Sequence, residues 1–149
     1  MIFNEALRQA IKYGARRMRV PAEERHLALA FDPAQRAQKT FFTIQFGGLA
    51  RYMKRKLAAA GFTVPERVYG NLQSGRMNES YFLYMLDHLR AATDEIYFHP
   101  AVFPPDRALD ADEQQCQLEF ETLISPRVRE RLAQTGIQLT NYIEMEAHG

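Results

Sequence analysis

Cysteine is nearly missing from this chain: Cys116 is the only one in 149 residues. A single thiol excludes an internal disulfide and any cysteine-based zinc site, and it fits a reducing, cytoplasmic compartment. An excess of either charge is also lacking. Nineteen Lys and Arg stand against eighteen Asp and Glu, a formal net charge of +1. The chain therefore has neither the basic footprint of a nucleic-acid-binding domain nor an acidic tail, and nucleic acid is not an expected partner. No apolar run approaches the roughly 18–20 residues that cross a bilayer. The opening Met1-Ile2-Phe3-Asn4-Glu5 turns polar at once, so no secretory signal is expected. Internal repeats and low-complexity segments are missing as well.

What is present is a chain of ordinary hydrophobic content, 46%, long enough for one domain with a real core or for part of a larger one. Residues 2–13 carry Phe3, Leu7, Ala10 and Ile11 on one helical stripe, with Gly14 as the stop. A short strand is expected at 17–20, ending at Pro21. Asp32-Pro33 is a good helix start, and a long helical stretch runs from there toward Gly61, with an expected interruption at Gly47-Gly48. Its apolar stripe is Phe42, Phe46, Leu49, Met53 and Leu57. A second strand is expected at 67–69, then a loop, then a helix from Asn78 with Phe82, Met85, Leu86 and Leu89 facing inward.

The stretch Glu95-Ile96-Tyr97-Phe98-His99-Pro100 predicts a third strand that the proline stops at His99. Asp110 and Glu113 form a capping box for the next helix, whose expected buried face carries Cys116, Phe120, Leu123 and Ile124. Ser125-Pro126 starts a further helix that ends at Gly136, and 137–142 is expected as a last strand. Alternation of this kind implies an α/β fold with parallel strands. It gathers Arg19, Pro21, Asn71, Ser74, His99 and Asn141 at the carboxyl end of the sheet, where such folds bind ligands. Four strands make only part of a (β/α) barrel, which needs about eight. Bare sheet edges then favour self-association.

His99 is the leading candidate for chemistry, because it stands where its strand leaves the sheet; a structural hydrogen-bonding role is the plainer alternative. Arg19, with Glu23 and Glu24 beside Pro21, is either a surface ion pair or an arginine that orients a sugar or an anionic ligand. Ser74-Gly75 is read first as a plain turn, with Asn71 and Ser74 as hydrogen-bonding partners of substrate hydroxyls as the alternative. The basic run Arg51-Tyr52-Met53-Lys54-Arg55-Lys56 is a solvated helix face, with contact to an anionic lipid surface as the alternative. Cys116 is expected to be inert packing. His26, His88 and His148 have no partner at metal-ligand spacing, so this chain alone is expected to bind no metal.

Four stretches resemble the YdjC-like carbohydrate deacetylases, and within them the hopanoid-biosynthesis branch. They are Arg17-Met18-Arg19-Val20-Pro21-Ala22-Glu23; Tyr69-Gly70-Asn71-Leu72-Gln73-Ser74-Gly75-Arg76-Met77; Thr93-Asp94-Glu95-Ile96-Tyr97-Phe98-His99-Pro100-Ala101; and Glu119 through Leu139, including Leu123-Ile124-Ser125-Pro126-Arg127-Val128 and Gly136-Ile137-Gln138-Leu139. The order and spacing of the four are more specific than any one of them. The resemblance implies a deformed (β/α) barrel that uses a divalent metal, Mg or Zn, to remove an acetyl group from an N-acetylated sugar. In the hopanoid branch the implied substrate is an N-acetylglucosaminyl hopanoid lipid.

By the same resemblance His99 matches the family's histidine-proline motif and takes the role of general acid toward the leaving amine. Arg19, Glu23, Asn71 and Ser74 are the implied substrate-binding residues. The family's paired aspartates and metal-binding histidines lie in its N-terminal half and have no counterpart here. The expectation is thus a single unit, 1–149, that forms the C-terminal portion of the barrel and lacks the N-terminal half. Such a unit would be impaired in catalysis alone, with a non-catalytic sugar- or glycolipid-binding module, or an interaction module that pairs with another chain, as the alternative. It would be cytoplasmic or peripheral at the membrane.

Overall fold

The computed structural model describes residues 2–21, 25–34 and 36–145. Eight elements follow in order: α1 (Ile2–Lys12), α2 (Arg25–Phe31), α3 (Arg36–Ala59), β1 (Arg67–Tyr69), α4 (Glu79–His88), β2 (Asp94–Ile96), α5 (Ala111–Ile124) and α6 (Pro126–Thr135). The fold is mixed helix and strand, and β1 and β2 pair in parallel with Arg67 opposite Asp94 and Tyr69 opposite Ile96. Parallel neighbours need a crossover, and α4 supplies it. Among the described residues no helix is long and apolar enough to cross a membrane.

Local chemistry accounts for most of the helix ends. Asn78 accepts the Tyr81 N–H at 3.1 Å and so caps α4. Asp110 and Glu113 exchange the two bonds of a capping box at the start of α5. Ser125 accepts from Val128 N ahead of Pro126, and Gly136, at φ 69°, closes α6 in the left-handed region. The Ser125 hydroxyl also donates to Glu79, which Arg127 reaches at 2.9 Å, so the starts of α4 and α6 are tied together.

Two clusters of buried side chains organise the interior. The larger joins Leu27 of α2, Tyr69 of β1, Met77, Tyr81, Phe82, Met85 and Leu86 at and within α4, and Val128 of α6. The smaller joins Phe3 of α1, Val20, Ala50 and Leu57 of α3, and Phe62. Full burial of one such side chain favours the fold by about 1.5–3 kcal/mol.

Several sequence expectations are corrected. The strand at 17–20 is reduced to a single parallel bridge between Arg17 and Thr63. Thr63 N donates to Arg16 O and Met18 N to Thr63 O, and the next donor along that edge would be residue 65. Pro65 has no N–H, so the ladder stops. The expected strand at 137–142 is not a strand. Asn141 Oδ1 accepts from Ile143 N and Glu144 N, and this local turn diverts the chain.

The third strand is shorter than expected, ending at Ile96, although Tyr97 N still donates to Tyr69 O. The helix α3 runs unbroken through Gly47 and Gly48, because two glycines weaken a 24-residue helix without removing any backbone bond. Helix α3 is described from Arg36, and ahead of it Asp32 Oδ1 accepts the Ala34 N–H at 2.9 Å, the bond expected of a capping residue before Pro33. The short α2 had no periodic signal and was not expected. On α5, Leu123 and Ile124 are exposed and Cys116 and Phe120 half-buried, while Glu119 and Thr122 occupy the buried face.

Candidate active site

Alternation along β2 and the residues after it sorts side chains by face. Ile96 and Phe98 pack on the larger core, Phe98 edge-on to Phe82 at 5.3 Å. Glu95, Tyr97 and His99 have the opposite parity, and each of the three makes contacts within one polar cluster. Arg19 Nε donates to Glu95 Oε1 at 2.7 Å, and a terminal guanidinium nitrogen approaches the same oxygen. The Tyr142 hydroxyl donates to Glu95 Oε2. The Arg19 guanidinium lies over the Tyr97 ring, 5.0 Å from its centroid, a cation–π placement. Tyr97 in turn donates its hydroxyl to Asn71 Oδ1 at 2.5 Å and meets the His99 ring edge-on at 5.4 Å.

Electrostatics follow from this packing. The Glu95 carboxylate raises the pKa of Arg19 and so holds it more firmly as a cation. Burial, reinforced by the Glu95 carboxylate, pushes the Tyr142 phenol well above its ordinary value. Gly70 allows the approach of the two post-strand segments. It sits at φ 116°, and a Cβ there would lie 2.6 Å from Tyr97 O.

A family model described as YdjC-like protein matches residues 1–134. The chain belongs to the YdjC-like family. No curated protein and no solved structure matches it significantly. The YdjC-like family is carbohydrate deacetylase-like in character.

Of the residues expected at the site of this YdjC-like chain, Arg19, Asn71 and His99 come together, with Tyr97 touching all three. Ser74 is exposed and joins through the backbone, its N–H donating to Asn71 O at 3.4 Å. Glu23 lies outside the described residues, as does His148. Asn141 closes a turn and does not end a strand. His88 bonds its own helix at Tyr84 O. In the basic run, Arg51, Arg55 and Lys56 are exposed as expected. Lys54 is half-buried, with its ammonium on Glu66 O and its pKa lowered by burial and by Arg67.

Among the described residues, no group of three or more His, Cys, Asp or Glu side chains could hold a metal ion. These residues do not fit the divalent metal that the resemblance implies. A groove between α4 and α6 is open and polar, lined by Leu83, Asp87, Arg127, Glu130, Arg131 and Gln134, and shares no residue with the cluster.

Sequence reasoning missed Glu95, Tyr97, Tyr142 and Glu119. For Glu95 and Tyr97 the signal was available: they share the parity of His99 in an alternating stretch. Glu119 carried a fainter one, a charge set in the apolar stripe of Cys116, Phe120 and Leu123 at helical spacing. Tyr142 had none, since the expected strand placed it wrongly.

Proposed function

We propose that this YdjC-like chain forms the C-terminal wall of a (β/α)-barrel carbohydrate N-deacetylase acting on an N-acetylglucosaminyl glycolipid of the hopanoid type. The observation that carries this reading is the meeting of Arg19, Asn71, Tyr97 and His99 just beyond the carboxyl ends of two parallel strands. That end is the functional face of such folds.

In amide hydrolysis, water adds to the acetyl carbonyl, the C–N bond breaks, and the departing nitrogen must take up a proton. His99, exposed beside Tyr97, is the group here suited to give it. Asn71 and Ser74 are the hydrogen-bonding partners for sugar hydroxyls. Arg19, fixed by Glu95 and Tyr97, orients the ring or an attached anionic group. The base that takes the water's proton, together with the metal donors, belongs to the N-terminal half of the family's barrel. This chain then works as one part of a composite site.

The test is acetate release from an N-acetylglucosaminyl lipid and from a soluble N-acetylglucosamine oligosaccharide. It is run with the chain alone and with the chain mixed with the N-terminal half of a complete family member. Release is expected only in the mixture, with H99A lowering kcat about 100-fold. Full activity in H99A removes His99 from the chemistry. Sugar binding without release in the mixture makes the chain a binding module instead.

A further inference from the structure

Glu119 sits in the middle of α5 with 1% of its surface exposed. A buried carboxylate is costly unless its oxygens are matched by donors. Both are matched, and both donors are backbone. Oε2 accepts the His99 N–H at 2.5 Å, and Oε1 faces the Met77 N–H at 3.4 Å. Neither N–H belongs to a helix or a strand. Met77 closes the loop that carries Asn71 and Ser74 after β1, and His99 stands three residues after β2 ends. Two post-strand segments thus meet on a single side chain. The same helix receives Ala101 N on Cys116 O at 3.1 Å, so the strand-2 segment is docked on α5 at two points. Leucine or methionine would fill this position if packing were the whole requirement. An acceptor with two oxygens is needed where two N–H groups must be held relative to each other.

We propose that Glu119 is a positioning residue, whose buried carboxylate clamps the loop after β1 to the segment after β2 and so sets Asn71, Ser74 and His99 relative to one another. The catalytic meaning of the clamp rests on the deacetylase reading above, whereas the clamp itself does not. Glu119→Gln keeps the shape of the side chain, exchanges one accepting oxygen for a donor, and removes the charge. Only one of the two N–H groups then keeps an acceptor.

Amide hydrogen exchange measured by NMR on the 149-residue chain is expected to rise about tenfold or more at Met77 and His99 in E119Q. The core amides of α4 are expected to hold near their wild-type rates. Thr122→Val, which removes a hydroxyl bonded only within the same helix, is expected to leave both amides unchanged. Should E119Q fail to fold, E119D keeps the charge but withdraws it by one methylene, and the same selective rise is expected. Unchanged exchange at both amides, or an equal rise throughout the core, overturns the clamp.

In the mixed acetate-release assay E119Q is expected to lower kcat about tenfold and to raise KM as well, because the clamp sets the proton donor His99 and the sugar-binding Asn71 and Ser74 together. An unchanged kcat overturns the positioning role. If wild type releases no acetate, the deacetylase reading fails, and the exchange rates still decide the clamp.

Discussion

Glu95 is the residue through which the candidate site is wired. Its carboxylate takes Arg19 on one oxygen and Tyr142 on the other, joining segments that stand 76 and 47 residues away in the chain. The placement of Tyr142 has a consequence in alkali. Burial, with help from the Glu95 carboxylate, raises the phenol's folded-state pKa above that of the unfolded chain. The folded state therefore prefers the neutral phenol. The stability this contributes is complete below the unfolded value, about 10, and is lost as pH rises beyond it. Spectrophotometric titration of tyrosinate should show a highest-pH step that Y142F removes. Denaturation midpoints of wild type should also fall faster than those of Y142F above about pH 10, with a constant difference at neutral pH. Parallel decline of the two proteins would count against the buried phenol.

At the scale of elements, glycines separate positions that need them from positions that tolerate them. Gly70 ends β1 with φ 116° and no room for a Cβ, because Tyr97 O would lie 2.6 Å away. Gly47 and Gly48 lie inside α3 with nothing within 4 Å. Replacing Gly70 by alanine is expected to destabilise the chain by about 2 kcal/mol or more. Gly48→Ala is expected to stabilise it by about 0.5–1 kcal/mol through helix propensity. Urea denaturation of the two variants beside wild type distinguishes them, and equal effects would mean that the approach of the two post-strand segments is not tight.

The elements that sequence patterning located well are those whose ends are written in adjacent residues: α4 at Asn78, α5 at Asp110 and Glu113, and α6 between Ser125 and Gly136. Those it misjudged depend on a partner. The Arg17 strand fails because of Pro65 on the neighbouring edge, and the Ile137 segment fails because Asn141 offers its backbone a local turn.

The whole molecule exposes more large apolar side chains than its two cores can cover. Ile44 on α3 is 72% exposed, and Ile2, Leu139 and Ile143 more so. The sheet among the described residues is two strands wide. Association between copies is therefore expected, visible as an apparent mass that climbs with concentration in size-exclusion chromatography with light scattering. Ile44→Lys, which places a charge on the most open part of α3, should shift the population toward monomer. A clean monomer at every concentration would refute this.

By itself the sequence determined the mixed helix-strand character, most helix boundaries and the family, and it singled out Arg19, Asn71 and His99. These rest on signals between near neighbours: caps, period-3.6 stripes, period-2 alternation and short motifs. Only the tertiary structure decided that Arg19 is fixed by Glu95 and Tyr97, and that Tyr142 joins them. It alone placed Glu119 beneath His99 and Met77. A carboxylate on a helix carries no local mark of the two backbone N–H groups it will meet. Its acceptors acquire partners only when α5 packs against α4 and the segment that follows β2.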